Sequence, residues 1–301
     1  IKIWESLSHK ISTGWKHFGY PESRNQGQSI ENLLLIQSVY SSDIKNFAER
    51  ISGYFPVSEQ KEYLDLLGKF EPIYSQLIWG PNYNKLLSYQ KKIEKLAKQN
   101  HLNEIFHTVS IFYNSNWPEN FPFIISLYPL PGSKGASSGQ SLGSIESIGV
   151  LVEESDLVGR FGVIVHELCH SLYDAQSNTQ QYEFESYFAQ SQSLYSSIAH
   201  RYINEALATA VGNGWVINKI TSNLDESSWY NQTTIDGFAK VLSTEIGKYL
   251  EAKHPIDNQL IEFAIKVFEQ KFPDSIVSYE NIFVEIQLIT DGNIIDYHSS
   301  R

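Results

Sequence analysis

The sequence predicts a mainly helical α+β fold, in which helical N- and C-terminal regions flank a small antiparallel sheet or hairpin beside a pair of site-bearing helices. Apolar residues recur at helical spacing through most of the 301 residues. Two runs rich in β-branched and aromatic residues, 121–130 and 147–153, interrupt that spacing near the middle of the chain. We therefore expect a helical N-terminal region at 1–118, a core at 119–215 and a mainly helical C-terminal region at 216–301.

Composition indicates a globular protein that does not bind nucleic acid. The chain is 42% hydrophobic and 19% charged, and its net charge is −11, which disfavours contact with a phosphate backbone. No apolar run approaches the roughly eighteen residues that a membrane helix needs, so no integral membrane segment is expected. The start at Ile1, without Met, indicates a mature or trimmed chain, and we expect the protein to act outside the cytoplasm.

The N-terminal region is predicted to be helical after a mixed, polar start at residues 1–27. Amphipathic patterns predict helical segments at 29–52, 58–70, 72–79 and 86–97. Ser29 is the candidate N-cap of the first segment, and Gly80-Pro81 is the expected break before the last. Residues 101–118 are either a helix or a strand.

Residues 121–130 and 147–153 are the two predicted strands, and they frame a stretch rich in Gly and Ser. That stretch, residues 131–143, is expected to be too flexible to form an element of its own. The pattern therefore predicts a β-hairpin with a mobile tip, directly before the helix that carries the chemistry.

The chemistry-bearing motif is His166-Glu167-Leu168-Cys169-His170. Ser155 or Asp156 is the candidate N-cap of its helix. Helical positions four apart differ by about 40° around the axis, so His166 and His170 leave one face and can bind one metal ion. Glu167 points about 100° away from His166, which makes it a poor third ligand but a candidate general base for a metal-bound water. Two ordinary surface histidines are disfavoured because the flanking residues are apolar.

A third protein ligand is expected downstream, and Glu205 is the best candidate. It lies in a helix of small residues, where a carboxylate buried among Ala and Leu needs a cation or a donor. Glu183 and Glu185 are the alternatives. Two imidazoles and one carboxylate suit Zn²⁺ best among divalent ions. The single cysteine, Cys169, is expected to be buried filler, with thiolate ligation as the alternative.

The remaining chain is predicted to be mainly helical. Helices are expected at 182–200, through Glu205 up to Gly212-Asn-Gly214, and at 229–250 and 259–270. Residues 281–290 are apolar and form either a strand or a buried helix.

The segments Val163-Ile-Val-His-Glu-Leu-Cys-His170 and Asn204-Glu205-Ala206 together resemble the gluzincin branch of zinc metallopeptidases, the thermolysin-like proteins. The resemblance implies a helix pair of zincin type, with zinc ligands His166, His170 and Glu205 and with Glu167 as the base. It also implies that the strand before the zinc helix lines a cleft, where an exposed edge can bind an extended peptide; a purely structural hairpin is the alternative.

Two departures from the gluzincin pattern affect the site. The spacer between His170 and Glu205 is longer than in thermolysin, which implies an inserted helix or lid. Thr209 stands where thermolysin-like proteins carry Asp, so the group that orients one histidine is unassigned. Asp174 either orients an imidazole or caps the helix.

These observations predict a zinc-dependent metallopeptidase that cleaves a peptide or protein substrate. The oxyanion donor is expected among Tyr230, Tyr249 and His254. Aminopeptidases of this branch carry a Gly-x-Met-x-Asn strand, and the chain has no Met, so an endopeptidase or oligopeptidase is favoured. The alternatives are a noncatalytic binding protein that retains the fold, which the presence of Glu167 disfavours, and a zinc hydrolase of nonpeptide amides or esters.

Overall fold

Helices and one small central sheet make up most of the chain. The computed structural model describes residues 30–118, 121–131, 138–223, 227–277, 286–290 and 293–297, the last two segments as backbone alone. Over these residues the protein is a mainly helical α+β fold, as predicted. The predicted N-cap Ser29 and the mixed segment 1–27 lie outside the described residues.

The first predicted helix, 29–52, is two helices. They are α1 (Ile30–Val39) and α2 (Ile44–Arg50). Asp43 starts the second one, because its carboxylate accepts a hydrogen bond from Asn46 N at 2.8 Å and so satisfies one of the free amides at the helix start. The continuous apolar pattern concealed this cap, and the single-helix prediction is therefore wrong.

The expected break at Gly80-Pro81 is also wrong. Helix α3 (Val57–Tyr74) passes through a π-helical turn at Ser75–Trp79 directly into α4 (Gly80–Gln99). A proline inside an α-helix loses one hydrogen bond and collides with the carbonyl four residues earlier. The π turn lies just before Pro81 and changes the backbone spacing there, so the chain continues as a helix. The next helix, α5 (Leu102–Phe112), shows that the first part of the uncertain segment 101–118 is a helix, and residues 113–118 are a turn and irregular chain.

The sheet contains three strands, and its topology differs from the predicted hairpin. Both predicted strands exist, as β1 (Ile124–Pro129) and β3 (Ile145–Val150), but they pair in parallel. The antiparallel partner of β3 is β2 (Ser138–Leu142), which lies within the stretch expected to be too flexible. Its Gly and Ser residues have low strand propensity, but backbone pairing with β3 and a turn at Gly143, whose φ is 63°, override that propensity.

The strand order is β1-β3-β2, so β2 is an edge of this sheet. The central helix α6 (Leu157–Asp174) follows β3 and packs on β2 and β3. Its N-cap is Asp156, one of the two predicted candidates, whose side chain accepts from Gly159 N at 2.8 Å. The helix that carries the motif thus starts at a fixed position beside the edge strand.

The helix predicted at 182–200 is broken. It is α7 (Asn178–Gln190) followed by α8 (Ser196–Thr209). A capping box between Ser177 and Gln180 starts α7. Helix α8 does not end at the predicted Gly212-Asn-Gly214, because the chain continues as a π-helix (Ala210–Val216) into α9 (Ile217–Thr221).

The C-terminal region contains two long helices, close to the predicted ranges. They are α10 (Thr233–Glu251) and α11 (Asn258–Lys271), and a 3₁₀ turn follows at Pro273–Ile276. Beyond it, β4 (Ile286–Thr290) pairs antiparallel with β5 (Asn293–Tyr297). Residues 286–290 of the ambiguous segment are therefore a strand, and 281–285 lie outside the described residues.

One large core surrounds α6. Its buried side chains come from α5, α6, α7, α8, the second π-helix, α10 and α11, so all three predicted regions contribute to it. A smaller cluster joins α4 to β3 and α6 through Tyr89, Ile148 and Ile164. No helix among the described residues is long and apolar enough to cross a membrane. The packing holds α6 on several sides, which fixes the direction of its polar residues.

Candidate metal centre

Helix α6 carries both motif histidines in a buried setting. His166 keeps 6% and Glu167 9% of its surface exposed, and the apolar residues around them belong to the main core. A helix enclosed in this way holds its polar side chains in fixed rotamers, because neighbouring side chains occupy the alternatives. The packing of α6 therefore holds the two imidazoles in fixed positions.

The structure brings His166, His170 and Glu205 together. The two Nε2 atoms lie 3.1 Å apart. Glu205, from α8, places one carboxylate oxygen 3.4 Å from His166 Nε2 and the other 3.5 Å from His170 Nε2. Among the described residues this trio is the one group of His, Cys, Asp or Glu whose donor atoms converge at metal-ligand spacing.

These donors fit a zinc ion. Zinc bonds of about 2.0–2.2 Å in a tetrahedral arrangement separate neighbouring ligand atoms by about 3.3–3.5 Å, close to the observed spacings. Glu205 Oε2 is buried and makes no hydrogen bond, so it lacks a partner that a cation would provide. Two imidazoles and one carboxylate are also a ligand set that zinc accepts while one position stays open.

The charge of Glu205 is set by the histidines. Burial disfavours its ionised form, but the close imidazoles of His166 and His170 outweigh burial and hold the pKa of Glu205 well below its usual range. The sequence had suggested that small neighbours enclose the Glu205 side chain. In the structure this side chain is 36% exposed and faces the cleft. An ionised carboxylate that faces two imidazoles is suited to bind a cation.

The alternative ligands Glu183 and Glu185 lie elsewhere. Glu183 accepts a hydrogen bond from Tyr187 on the exposed face of α7, and Glu185 pairs with His200 at 2.6 Å. Cys169 is fully buried, and burial raises the pKa of its thiol well above the ordinary value, so the thiol stays protonated. Its predicted burial is confirmed.

Two side chains orient the imidazoles, and sequence reasoning did not assign either role. Asn204 Oδ1 lies 3.2 Å from His170 Nδ1, and Thr209 Oγ1 lies 3.4 Å from His166 Nδ1. In the tautomer that carries its proton on Nδ1, each ring donates to that oxygen and leaves Nε2 free for a metal. Thr209 follows Glu205 by one helical turn and so shares its face of α8, a signal that helix periodicity offers. Asn204 directly precedes Glu205, and only the crossing of α6 and α8 places it beside His170.

Helix α6 and the second π-helix approach each other at two glycines. A Cβ on Gly212 would lie 2.7 Å from His166 N and 2.9 Å from His166 Cβ, and it would overlap the carbonyl of Gly162. Any side chain there would push the π-helix away from His166. The glycines thus allow the short separation that lets Glu205, one element earlier, reach both histidines.

Glu167 points between α6 and the edge strand. A Cβ on Gly139 of β2 would overlap its carboxylate, and the backbone N–H of Ser141 donates to it. Burial is the largest influence and raises the pKa of Glu167, against the lowering effect of His166 and His170. A carboxylate whose pKa is moved toward neutrality is well suited to exchange protons in catalysis.

A cleft of about 750 Å³ lies over these groups. Gly139 and Ser141 of the edge strand line one side, and Tyr230 lines it as well. The Tyr230 ring stacks on His166 with centroids 5.9 Å apart. Burial, followed by the charge of Glu205, raises the pKa of Tyr230 to about 12, so its hydroxyl remains a proton donor at neutral pH.

Comparison with protein-family models, curated proteins and solved structures gives no match. The resemblance to gluzincins therefore rests on the motif residues and on the arrangement of their side chains.

The other two candidates for the oxyanion donor lie together outside the cleft. Tyr249 donates to Asp257 Oδ1 at 2.9 Å, and its ring centroid is 5.1 Å from that of His254. Tyr249 lies in the last turn of α10, and His254 lies in the connection to α11, which Asp257 caps. Of the three candidates, Tyr230 alone lines the cleft. Asp174 ends α6 and also lines the cleft.

Proposed function

We propose that the protein is a zinc metallopeptidase with a gluzincin-like centre, in which His166, His170 and Glu205 hold the metal. The observation that carries this proposal is the convergence of the two Nε2 atoms with the Glu205 carboxylate, beside an acidic residue that is not needed as a ligand. A purely structural zinc site has four protein ligands and no use for such a residue. Three ligands in an open cleft are typical of a catalytic site.

Each cleft residue has a defined task in the proposed reaction. Bound zinc supplies Lewis-acid polarisation of the scissile carbonyl and acidifies the attacking water. Glu167 accepts the proton that this water loses and then delivers it to the leaving amine, so the peptide bond is replaced by a carboxylic acid and a free amine. Tyr230, still protonated at neutral pH, donates a hydrogen bond to the oxyanion of the tetrahedral intermediate.

The edge strand supports a peptide substrate over a nonpeptide one. The N–H of Ser141 points away from β3 toward Glu167. Backbone groups of alternate strand residues face the same side, so Gly139 also presents its N–H and C=O to the cleft. An extended peptide can pair with these groups as an additional strand, and an isolated ester has no backbone with which to do so.

The test combines metal content with a peptide-library digest. Elemental analysis of the purified protein should give about one zinc per chain, as expected for a three-ligand site with one open position. The zinc-loaded protein should cleave a degenerate peptide library, and Glu167→Gln should retain zinc while the rate falls by about 10²–10⁴-fold. Glu183→Gln, on the exposed face of α7, is the matched control and should behave as wild type.

The alternatives give other outcomes. Absence of zinc even after reconstitution would contradict the proposal and leave a noncatalytic binding protein. Bound zinc, with turnover of esters or simple amides but of no peptide, would indicate a hydrolase of nonpeptide substrates.

A further inference from the structure

One face of α6 forms the floor of the cleft from end to end. Arg160, Val163, Glu167, His170 and Asp174 follow one another at intervals of three and four residues, and all of them line the cleft. Arg160 occupies the N-terminal end of this face. It precedes Glu167 by seven residues, which corresponds to about 10 Å along the helix axis.

Arg160 is held rigidly and one of its nitrogens is unsatisfied. The side chain is 3% exposed. Its Nε and Nη2 donate to the Glu154 carboxylate at 3.1 and 2.8 Å, and Tyr89 donates to the same carboxylate at 3.2 Å. Nη1 is buried and makes no hydrogen bond. A buried cationic donor without a partner is unfavourable, so the position favours a ligand with an acceptor oxygen.

The charge of that ligand follows from Arg160 itself. Four acidic side chains line the cleft, Glu154, Glu167, Asp174 and Glu205, and among the described lining residues Arg160 alone carries a permanent positive charge. Glu154 occupies two of the three guanidinium nitrogens and so fixes the direction of the third. A planar guanidinium in a fixed orientation suits a carboxylate better than a neutral carbonyl, because the hydrogen bonds are then charge-assisted.

The edge strand determines which end of a peptide reaches Arg160. Strand β2 runs in the same direction as α6, since Gly139 lies against Glu167 and Ser141 Oγ lies 2.5 Å from Ser171 Oγ. A peptide paired antiparallel with β2 runs the opposite way. Its chain beyond the scissile bond therefore extends toward the N-terminal end of α6, where Arg160 lies.

We infer that Arg160 binds a substrate carboxylate located roughly two to three residues after the scissile bond, the length of extended chain that spans about 10 Å. The carboxylate is either the C-terminus of the peptide or the side chain of an Asp or Glu. The inference rests on the proposed peptidase function and names its substrate class: short peptides with a free C-terminus, or peptides that are acidic at that position.

The test uses the zinc-loaded protein and two degenerate peptide libraries that differ only in a C-terminal carboxylate or carboxamide. Mass spectrometry of the products gives the position of each cut. Cuts in the free-acid library should cluster roughly two to three residues from the C-terminus. The KM of the matched carboxamides should be about ten- to hundredfold higher, the worth of a hydrogen bond to a charged group.

A second arm separates the two sources of the carboxylate. Carboxamide peptides that carry Asp or Glu at the same distance after the cut are compared with their Asn or Gln counterparts. Selective cleavage of the acidic members supports a side-chain carboxylate, and selective cleavage of free acids supports the C-terminus. Equal cleavage throughout, with no acidic preference in either arm, overturns the inference and leaves the peptidase proposal intact. Cleavage of no peptide overturns both.

Arg160→Gln identifies the residue responsible. The ratio of KM for carboxamide to KM for free acid should fall to about one, because the neutral amide lacks the charge-assisted bond. An unchanged ratio in a folded, zinc-containing variant overturns the assignment to Arg160. Should Arg160→Gln fail to fold, Arg160→Lys keeps the charge but not the fork and should lower the ratio partly. The wild-type libraries decide the acid preference without any variant.

Discussion

Glu205 and Glu146 are two acidic side chains near Glu167, and the protein surrounds them in opposite ways. Glu205 faces two imidazoles across the cleft, and their influence holds its pKa well below the usual range. Glu146, on β3, is fully buried and neither of its oxygens has a hydrogen-bond partner. Burial first, and the neighbouring Glu167 second, raise the pKa of Glu146 well above its usual range.

The difference shows that neighbours, and not burial alone, decide what a carboxyl group does here. Glu205 is held as an anion beside two imidazoles that can bind the same cation, whereas the raised pKa of Glu146 favours its protonated, uncharged form. A protonated carboxyl group is tolerated in the sheet because burying the ionised form without a partner is far more unfavourable. Only one of the two regions is therefore suited to bind a metal.

Replacing each acid by its amide should give the largest difference in zinc affinity between the two regions. Glu205→Gln removes the proposed anionic ligand, and we expect zinc affinity to fall by more than about a hundredfold, beyond the effect of losing an orienting neighbour. Glu146→Gln should leave zinc affinity within a few-fold of wild type. Competition with a chromophoric chelator measures both constants. Equal losses in the two variants would mean that Glu205 has no special role.

Gly212→Ala should move Glu205 away from its partners. The new methyl group would meet His166 N and Cβ at 2.7 and 2.9 Å, so α6 and the π-helix must separate. We expect the free energy of unfolding to fall by about 1–3 kcal/mol, as for an overpacked core, together with weaker zinc binding. Urea titration measures the first effect and chelator competition the second.

Gly68→Ala is the matched control for that experiment. Gly68 lies in helix α3 with nothing within 4 Å of an added Cβ. Alanine there should raise the free energy of unfolding by about 0.5–1 kcal/mol, because it restricts the unfolded chain and favours the helix. If Gly212→Ala also proved stabilising, the close approach of the two helices would not be what positions Glu205.

The motif helix was predictable from sequence because its signals are local. The helical spacing of the apolar residues and an N-cap at Ser155 or Asp156 are readable without tertiary structure, and the structure confirms the helix and selects Asp156 as the N-cap. The long C-terminal helices α10 and α11 were predictable for the same reason. In each case the apolar face and a nearby end signal agree, so the packing did not need to override local preference.

The misplaced elements share a different cause, namely that tertiary contacts override local signals. Pro81 and Gly212 suggest helix ends, yet π-helical turns carry the chain past both. Residues 138–142 have low strand propensity but pair with β3. Nothing in the sequence indicated that Glu146 is buried, because an acidic residue in a strand pattern ordinarily faces solvent. Asn204 and Thr209 were visible as residues, but their contacts with the imidazoles required the crossing of α6 and α8.

The pH dependence of the free energy of unfolding should show that Glu146 binds a proton in the folded protein. Its folded-state pKa lies above the ordinary value of 4.5, so between those two values the folded protein binds a proton that the unfolded chain has lost. Stability attributable to this group is therefore complete below pH 4.5 and is lost as pH rises, by up to about 1.4 kcal/mol per pH unit. Urea unfolding of the zinc-free protein from pH 5 to 8 measures it.

Glu146→Gln removes the titrating group and should remove that slope. The stability of the variant relative to wild type should increase with pH across the window. Glu49→Gln, at an exposed position of α2, should leave the profile unchanged. Parallel profiles for wild type and Glu146→Gln would contradict the view that Glu146 is protonated in the folded protein.

We expect the smallest change in zinc affinity from removal of the Thr209 hydroxyl, which lies beside His166. His166 is one of the two imidazoles that face Glu205, and among the described residues Glu146 has no such neighbours. Thr209→Val preserves the shape of a fully buried side chain but removes the oxygen 3.4 Å from Nδ1. A hydrogen bond of this kind contributes about 0.5–1.5 kcal/mol, so zinc affinity should fall by about two- to tenfold.

Thr221→Val is the control, because the Thr221 hydroxyl donates to Ile217 O at the exposed end of α9 and is not among the residues that line the cleft. Its zinc affinity should match wild type. Since Thr209→Val removes the hydrogen-bond partner of His166 Nδ1, the loss should be accompanied by a changed ring-nitrogen NMR signal of His166 in the zinc-free protein. A loss of affinity without that change would assign the effect to packing, and the orientation of His166 would then depend on α6 alone.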